Sequence, residues 1–287
     1  MPEKTVNIGL VQMRMSDDCE GNLARAESLA GSAARKGAQI VCLPELFNAP
    51  YFAQYKKKGS SAEKWAEEIP GKTTRRLSEC ARKNNIVLVG GSIYEKSGSH
   101  LYNTSVIFAQ DGKMMGIYRK THIPHDPMYF EQDYFEKGDS GYKVFDTPFC
   151  RIAVLICYDQ WFPEAARSAA LAGAQIIFYP TAIGTMKGVE QAEGNWQEAW
   201  ENVMRGHAIA NCIPVAAANR VGSEGGMDFF GGSFVCNAFG KTLKRGGKKE
   251  QVIIAEIDLQ HGKDVAEGWR FFYNRRPETY GPIVKPK

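Results

Sequence analysis

The sequence predicts an α/β protein, built as a large mixed sheet or two packed sheets covered by helices. Apolar strand-like runs alternate with amphipathic helical patterns, hairpin signals are mixed among them, and no low-complexity linker or short repeat divides the 287 residues. Hydrophobic residues make up 44% and charged residues 24%, a balance that suits a soluble chain with a buried core and is too apolar for disorder.

Val6–Gln12 reads as a first strand, followed by a helix over about 20–35 with Leu23, Ala26, Leu29, Ala30 and Ala33 on one face and Gly37 placed to end it. Gln39–Leu43 is a short apolar strand that delivers Pro44-Glu45 at its end. A helix over about 73–83 leads to strand candidates at Ile86–Gly90 and Ser92–Tyr94. Leu101–Ala109 and Lys113–Tyr118 form a hairpin about Gln110-Asp111-Gly112, and Arg119-Lys120 follow directly. Thr121–Phe135 holds two prolines, four aromatics and three acids without a clean period. A loop of that length in a compact domain is functional or disordered, and its aromatic content argues against disorder.

Arg151–Ile156 is an apolar strand that ends at Cys157, while Pro163 suits the first position of a helix and Glu164 its first turn. The expectation is therefore strand, cysteine-bearing bend, then helix to about Ala172. A thiol at such a junction can sit on a cleft floor near backbone N–H groups that favour thiolate and oxyanion alike. The plainer alternative is a small buried hydrophobe. Gln175–Tyr179, Pro214–Ala218, Gly232–Cys236 and Val252–Ile257 complete the strands. A helix over about 195–210 puts Trp196, Trp200, Val203, Met204 and His207 on one face. The glycine-rich pieces Gly222–Gly226 and Gly246-Gly247 read as loops, without the strand–glycine–helix context of a nucleotide site. Residues 1–287 read as one domain with a polar, aromatic, aperiodic arm from about Asp264, suited to packing on another surface such as a partner subunit.

Net charge is +4 with basic residues scattered, which argues against nucleic-acid binding and makes Lys56–Lys58 and Lys248-Lys249 solvated loops. Met1–Thr5 lead into a strand without a signal peptide, and nowhere do about 18 apolar residues run together to cross a membrane. Seven cysteines without a Cys-x-x-Cys pair suit reduced thiols and a cytoplasmic location. His122 and His125 flank Pro124 without further ligands nearby, so loop packing is expected and no metal or cofactor; His207 reads as a satisfied core histidine.

Glu45, Lys120 and Cys157 each fall just beyond the end of an apolar strand, the edge where ligand crevices form in such sheets. A carboxylate could take the thiol proton and later activate water, while Lys120 and the N–H of Tyr158 could hold an oxyanion, with Glu131 orienting Lys120 or the substrate. Taken singly, Glu45, Lys120 and Glu131 read better as turn or helix-start carboxylates and a solvated lysine, and spacing alone does not bring them together.

Pro44-Glu45-Leu46, Lys120-Thr-His-Ile-Pro124 and Cys157-Tyr-Asp-Gln-Trp-Phe-Pro-Glu164, in this order, resemble the nitrilase superfamily of carbon–nitrogen hydrolases along essentially the whole chain. The resemblance implies a four-layer αββα sandwich, a Glu45–Lys120–Cys157 triad, a second glutamate at Glu131, and a homodimer or higher homo-oligomer. Within the superfamily, Gln160–Arg167, Tyr179–Gly184 and the 129–135 loop are most similar to the N-carbamoylputrescine amidases of polyamine biosynthesis, with Tyr158 where many of those have Trp. Gln160 and Trp161 stand where related carbamoyl-amino-acid hydrolases place arginines, which suits a small-molecule substrate without a carboxylate. Its ammonium tail could be met by Tyr51, Asp126, Tyr129, Glu131, Asp133, Tyr134 and Trp161, with Glu190 and Glu193 as further acids. The alternatives are another amidase or carbamoylase of this fold, such as an ω-amidase, or an inactive binding protein that keeps it.

Overall fold

The computed structural model describes residues 5–57 and 61–285. Of the Lys56–Lys58 stretch, Lys58 lies outside the described residues.

In the first half of the chain β1 (Thr5–Gln12), α1 (Cys19–Arg35), β2 (Ile40–Cys42), α2 (Lys72–Asn84), β3 (Val87–Val89), β4 (Ile93–Ser97), β5 (His100–Phe108) and β6 (Met114–Arg119) follow one another. The second half supplies β7 (Val144–Asp146), β8 (Arg151–Val154), α3 (Pro163–Leu171), β9 (Ile176–Thr181), β10 (Gly184–Met186) and α4 (Trp196–Asn211). It ends with β11 (Val215–Asn219), β12 (Val221–Glu224), β13 (Met227–Phe230), β14 (Phe234–Cys236), β15 (Thr242–Arg245), β16 (Gln251–Asp258) and α5 (Leu259–Trp269).

Two sheets result. One runs β16-β1-β2-β3-β5-β4 with β6 paired to β5, the other β15-β14-β11-β9-β8-β7, and a small β10-β13-β12 sheet stands beside them. The central strands β1-β2-β3 and β8-β9-β11 are parallel. Strands buried on both faces need continuous apolar sequence, as Ile40-Val41-Cys42 and Ile152-Ala153-Val154 supply.

Three apolar layers show how the elements stack. Ile8, Ile40, Val89, Ile152, Phe178 and Ala216 interleave between the two sheets. Leu23, Ala30 and Ala33 of α1 and Leu77 of α2 pack on the outer face of the first sheet, against Val41 and Leu88. Ala165, Ala166 and Ala169 of α3 and Trp200, Met204 and Ala208 of α4 pack on the outer face of the second, against Ile177 and Ala217. The order helix, sheet, sheet, helix is the αββα sandwich.

The structure departs from expectation in short pieces. β7, β10 and β15 are three or four residues long, too brief for a readable period. Gly222–Gly226 is not simply a loop: β12 and β13 form a hairpin that turns at Gly225-Gly226. α5 was hidden by Gly262 and Gly268, poor helix formers. It starts because Asp258, at the end of β16, accepts the N–H groups of Gln260 and His261. The arm expected from Asp264 therefore begins within a helix, and irregular chain starts at Arg270. No described helix is long and apolar enough to cross a membrane, and all seven cysteines are free thiols.

Candidate active site

β2 hands the chain to Leu43-Pro44-Glu45. Leu43 N–H still bonds the Val89 carbonyl at 3.0 Å, so the turn leaves a strand that is held in place, and Glu45 N–H reaches Thr181 O of the other sheet at 3.4 Å. Leu46 then takes a left-handed φ of 47°. β6 ends one residue before Lys120, whose N–H donates to Asn103 O at 2.9 Å. β8 ends at Val154, Leu155 N–H bonds Phe178 O at 3.0 Å, and Cys157, at φ 42°, opens a 3₁₀ turn over Cys157–Trp161 that runs into Pro163 of α3. Positive φ at a cysteine is strained and persists where surrounding contacts over-determine it. Asp159 supplies them: Oδ2 accepts Ile156 N–H at 2.9 Å and Tyr118 OH at 2.8 Å, and Oδ1 accepts His122 N–H at 3.0 Å.

These strand ends converge. Lys120 Nζ donates to Glu45 Oε1 at 2.8 Å and to Glu131 Oε2 at 2.6 Å, and all three side chains are wholly buried. Asn103 Nδ2 donates to the same Glu45 oxygen at 2.8 Å, and Tyr51 OH to Glu131 Oε1 at 2.9 Å. Glu45 Oε2 is buried without a hydrogen-bond partner among the described residues, an acceptor still open to a proton.

Electrostatics follow from burying two carboxylates around one ammonium. Burial works against the Lys120 ammonium, yet Glu131 and Glu45 beside it prevail and raise its pKa. Burial, opposed by Lys120, lifts the Glu131 carboxyl to about 7. Cys157 is pushed well above the ordinary thiol value, first by burial and then by the Glu45 charge. At neutral pH the resting sulfur is therefore a thiol, and attack needs a base at that moment.

Cys157 opens onto a cavity of about 490 Å³. Asp126, Tyr129, Tyr158, Gln160, Trp161, Glu193 and Trp196 line it, and its described lining contains no lysine or arginine. Tyr129 OH is fixed at its wall, donating to Gly184 O at 3.0 Å.

Of the sequence-predicted residues, Glu45, Lys120 and Glu131 meet, their charges act on the Cys157 thiol, and Asp126, Tyr129, Tyr158 and Trp161 line the cavity with it. Tyr51 stands behind Glu131 instead of lining the cavity with Cys157. Glu190 is exposed and outside the lining, because the chain after β10 turns it to solvent; Glu193 lines the cavity instead. Asp133 accepts Lys57 N–H at 3.1 Å and Tyr134 OH donates to Tyr55 O at 2.9 Å, both facing away. His122 stacks on Phe162 with ring centroids 3.7 Å apart and approaches Asp159 at 2.7 Å through Nδ1. His207 Nε2 is spent on the Gln160 carbonyl at 2.8 Å. Among the described residues no cluster of His, Cys, Asp or Glu could hold a metal ion.

Sequence reasoning missed Asn103, Asp159 and Arg220. Asn103 sits inside an apolar strand run and Arg220 follows one, the same signal that marked Glu45 and Lys120.

The carbon-nitrogen hydrolase family is matched over residues 7–267. An N-carbamoylputrescine amidase of Solanum lycopersicum is 39% identical, over 99% of this chain and 97% of that one. A citrullinase of Francisella tularensis is 38% identical over 98% of each, and an omega-amidase of Bos taurus 35% identical over 96% and 97%. The crystal structure of a carbon-nitrogen hydrolase from Helicobacter pylori G27 superposes with a TM-score of 0.93 at 36% identity, covering 98% of this chain and 99% of that one.

Proposed function

The chain belongs to the carbon-nitrogen hydrolase family, an amide-hydrolysing enzyme of the nitrilase superfamily, and from that premise we propose that it cleaves the ureido group of N-carbamoylputrescine, giving putrescine, carbon dioxide and ammonia. The observation that carries this reading is the cavity before Cys157, which offers two carboxylates, Asp126 and Glu193, and the rings of Trp161 and Trp196, with no described cation in its lining. Such a wall attracts a butyl-ammonium tail and repels a carboxylate.

In this mechanism Glu45 Oε2 takes the thiol proton as Cys157 sulfur attacks the carbonyl carbon. Lys120 and the Tyr158 N–H hold the resulting oxyanion. Glu45 returns the proton to the departing ammonia, leaving the alkylcarbamoyl group on sulfur as a thioester. Water, deprotonated by Glu45, attacks that thiocarbamate carbonyl; the C–S bond breaks, Glu45 passes the proton to the leaving Cys157 sulfur, and the released carbamic acid falls apart to putrescine and carbon dioxide. Glu131, hydrogen-bonded to Lys120 and Tyr51, fixes the ammonium in place.

A substrate panel tests the reading. Turnover of N-carbamoylputrescine should exceed that of citrulline, carbamoyl-β-alanine, an ω-amide of a dicarboxylate and a simple aliphatic amide. Preference for any of the carboxylate-bearing compounds would overturn the substrate assignment, and a Cys157→Ala variant that keeps near-parental rates would overturn the mechanism. The reading also includes pairing with a second copy through a helical face. The half-exposed rings of Phe239 and Trp269, stacked at 5.9 Å, and the nearby Ile209 support that part.

A further inference from the structure

We propose that Arg220 is the positioning residue for Glu45, an inference that rests on reading Glu45 as the base. Arg220 directly follows β11, and its side chain is wholly buried. Its Nη2 donates to the carbonyls of Glu45 at 3.0 Å, Leu46 at 2.8 Å and Ala49 at 3.4 Å. These carbonyls belong to chain that has left β2 and its ladder; Leu46 O takes Ala49 N–H at 3.2 Å as a local partner, and Arg220 is the side chain that donates to all three. A planar, permanently charged guanidinium can serve several acceptors while remaining paired; a lysine ammonium on a flexible stem cannot reproduce that fork.

The buried charge is compensated on its other side. Arg220 Nη1 meets both Glu224 carboxylate oxygens at 2.8 Å. Glu224 Oε2 also accepts the Tyr51 N–H at 2.8 Å, and the Tyr51 hydroxyl in turn donates to Glu131. The Arg220–Glu224 pair therefore grips the 45–51 segment at Glu45 O, Leu46 O, Ala49 O and Tyr51 N. One end of that segment carries Glu45 and the other carries the hydroxyl partner of Glu131. The left-handed backbone at Leu46 lies between these grips, where strain has to be held by contacts.

The neighbouring side chain works on the opposite wall. Asn219 Oδ1 accepts Ile183 N–H at 3.0 Å and its Nδ2 donates to Ile183 O at 2.9 Å. Ile183 lines the cavity, and the carbonyl of Ala182 before it lies 3.9 Å from Cys157 Sγ. One strand end thus fixes the turn of the base through Arg220 and the wall beside the sulfur through Asn219.

The test uses the full-length protein, turnover of N-carbamoylputrescine, and alkylation of Cys157 by iodoacetamide followed on its peptide by mass spectrometry. Arg220→Lys, assayed well below its melting temperature, should lose roughly 10- to 100-fold in kcat while KM stays within about threefold, the pattern of a misplaced reacting group. It should also change the alkylation rate. In a Glu45→Gln background the same substitution should leave that rate unaltered, because Arg220 acts through Glu45. Parental kcat in folded Arg220→Lys, or an equal change of alkylation in both backgrounds, overturns the proposal. If Arg220→Lys does not fold, Glu224→Gln decides by the same measurements, with an expected kcat loss of roughly 3- to 10-fold; parental kcat there overturns the proposal as well. Glu45→Gln alone separates the two claims. If it turns over normally, the base assignment and the brace fall together; if it is inactive while Arg220→Lys is unaffected, the brace alone falls.

Discussion

At the scale of single residues, burial gives Glu131 a pH dependence, and Asp159 serves as a hub of hydrogen bonds. With burial lifting Glu131 from 4.5 to about 7, the folded protein keeps a proton over that interval which the unfolded chain has lost. Stability contributed at this site is therefore greatest below pH 4.5, falls as pH rises to 7, and is level beyond. Relative to Glu131→Gln, the parent should lose stability in urea unfolding as pH rises from 4.5 toward neutrality. A difference that stays flat across those two pH values would count against it. Asp159 is surrounded by donors from Ile156, Tyr118 and His122. An asparagine there would turn an amide N–H₂ toward donors on one side. Asp159→Asn should destabilise the fold by about 2–4 kcal/mol and lower turnover by loosening the Cys157 bend, measured by denaturant melts and initial rates.

At the scale of elements, the turns after β2 and β8 matter more than the strands themselves. Gly91 has a left-handed φ of 57°, and a Cβ there would stand 2.1 Å from the Pro44 carbonyl. Backbone cannot yield as a flexible side chain can, so Gly91→Ala has to push the Pro44-Glu45 turn aside. We expect a lower melting temperature together with a fall in kcat, read by calorimetry and steady-state kinetics. Parental kcat would show that the turn tolerates the shift. The inter-sheet layer is different in kind. Phe178, wholly buried between the sheets, should cost about 3–5 kcal/mol on truncation to alanine.

The whole molecule brings distant segments to one place by stacking two sheets. Glu45 lies beyond a strand of the first and Cys157 beyond a strand of the second, and Glu45 N–H to Thr181 O bridges them directly. Beside the helices on the second sheet lies an exposed apolar cluster: Phe239 and Trp269 are stacked and 45% and 57% exposed, and Ile209, 37% exposed, reaches the same turn at Gly240. If this face pairs copies, the sedimentation mass should be at least twice that of one chain, and Trp269→Glu should shift it toward monomer. A monomeric parent at micromolar concentration would remove that expectation.

What the sequence determined by itself is local or strongly patterned. Apolar period placed the central strands, Pro163 and Glu164 placed the helix after Cys157, and charged or thiol side chains at strand ends marked Glu45, Lys120 and Cys157. β7, β10 and β15 escaped because three or four residues carry no period, and α5 because its glycines conceal a helix that Asp258 initiates. Tertiary structure alone decided which polar groups meet. Asn103 is separated from Glu45 by 58 residues and Arg220 from the same turn by 175, and no local pattern links them. It also decided that Glu193 and not Glu190 faces the cavity, because the direction of an irregular segment is set by what it packs against. The chemistry was legible where a side chain ends a strand; its proton balance was not, because burial and neighbouring charge exist only once the two sheets have closed.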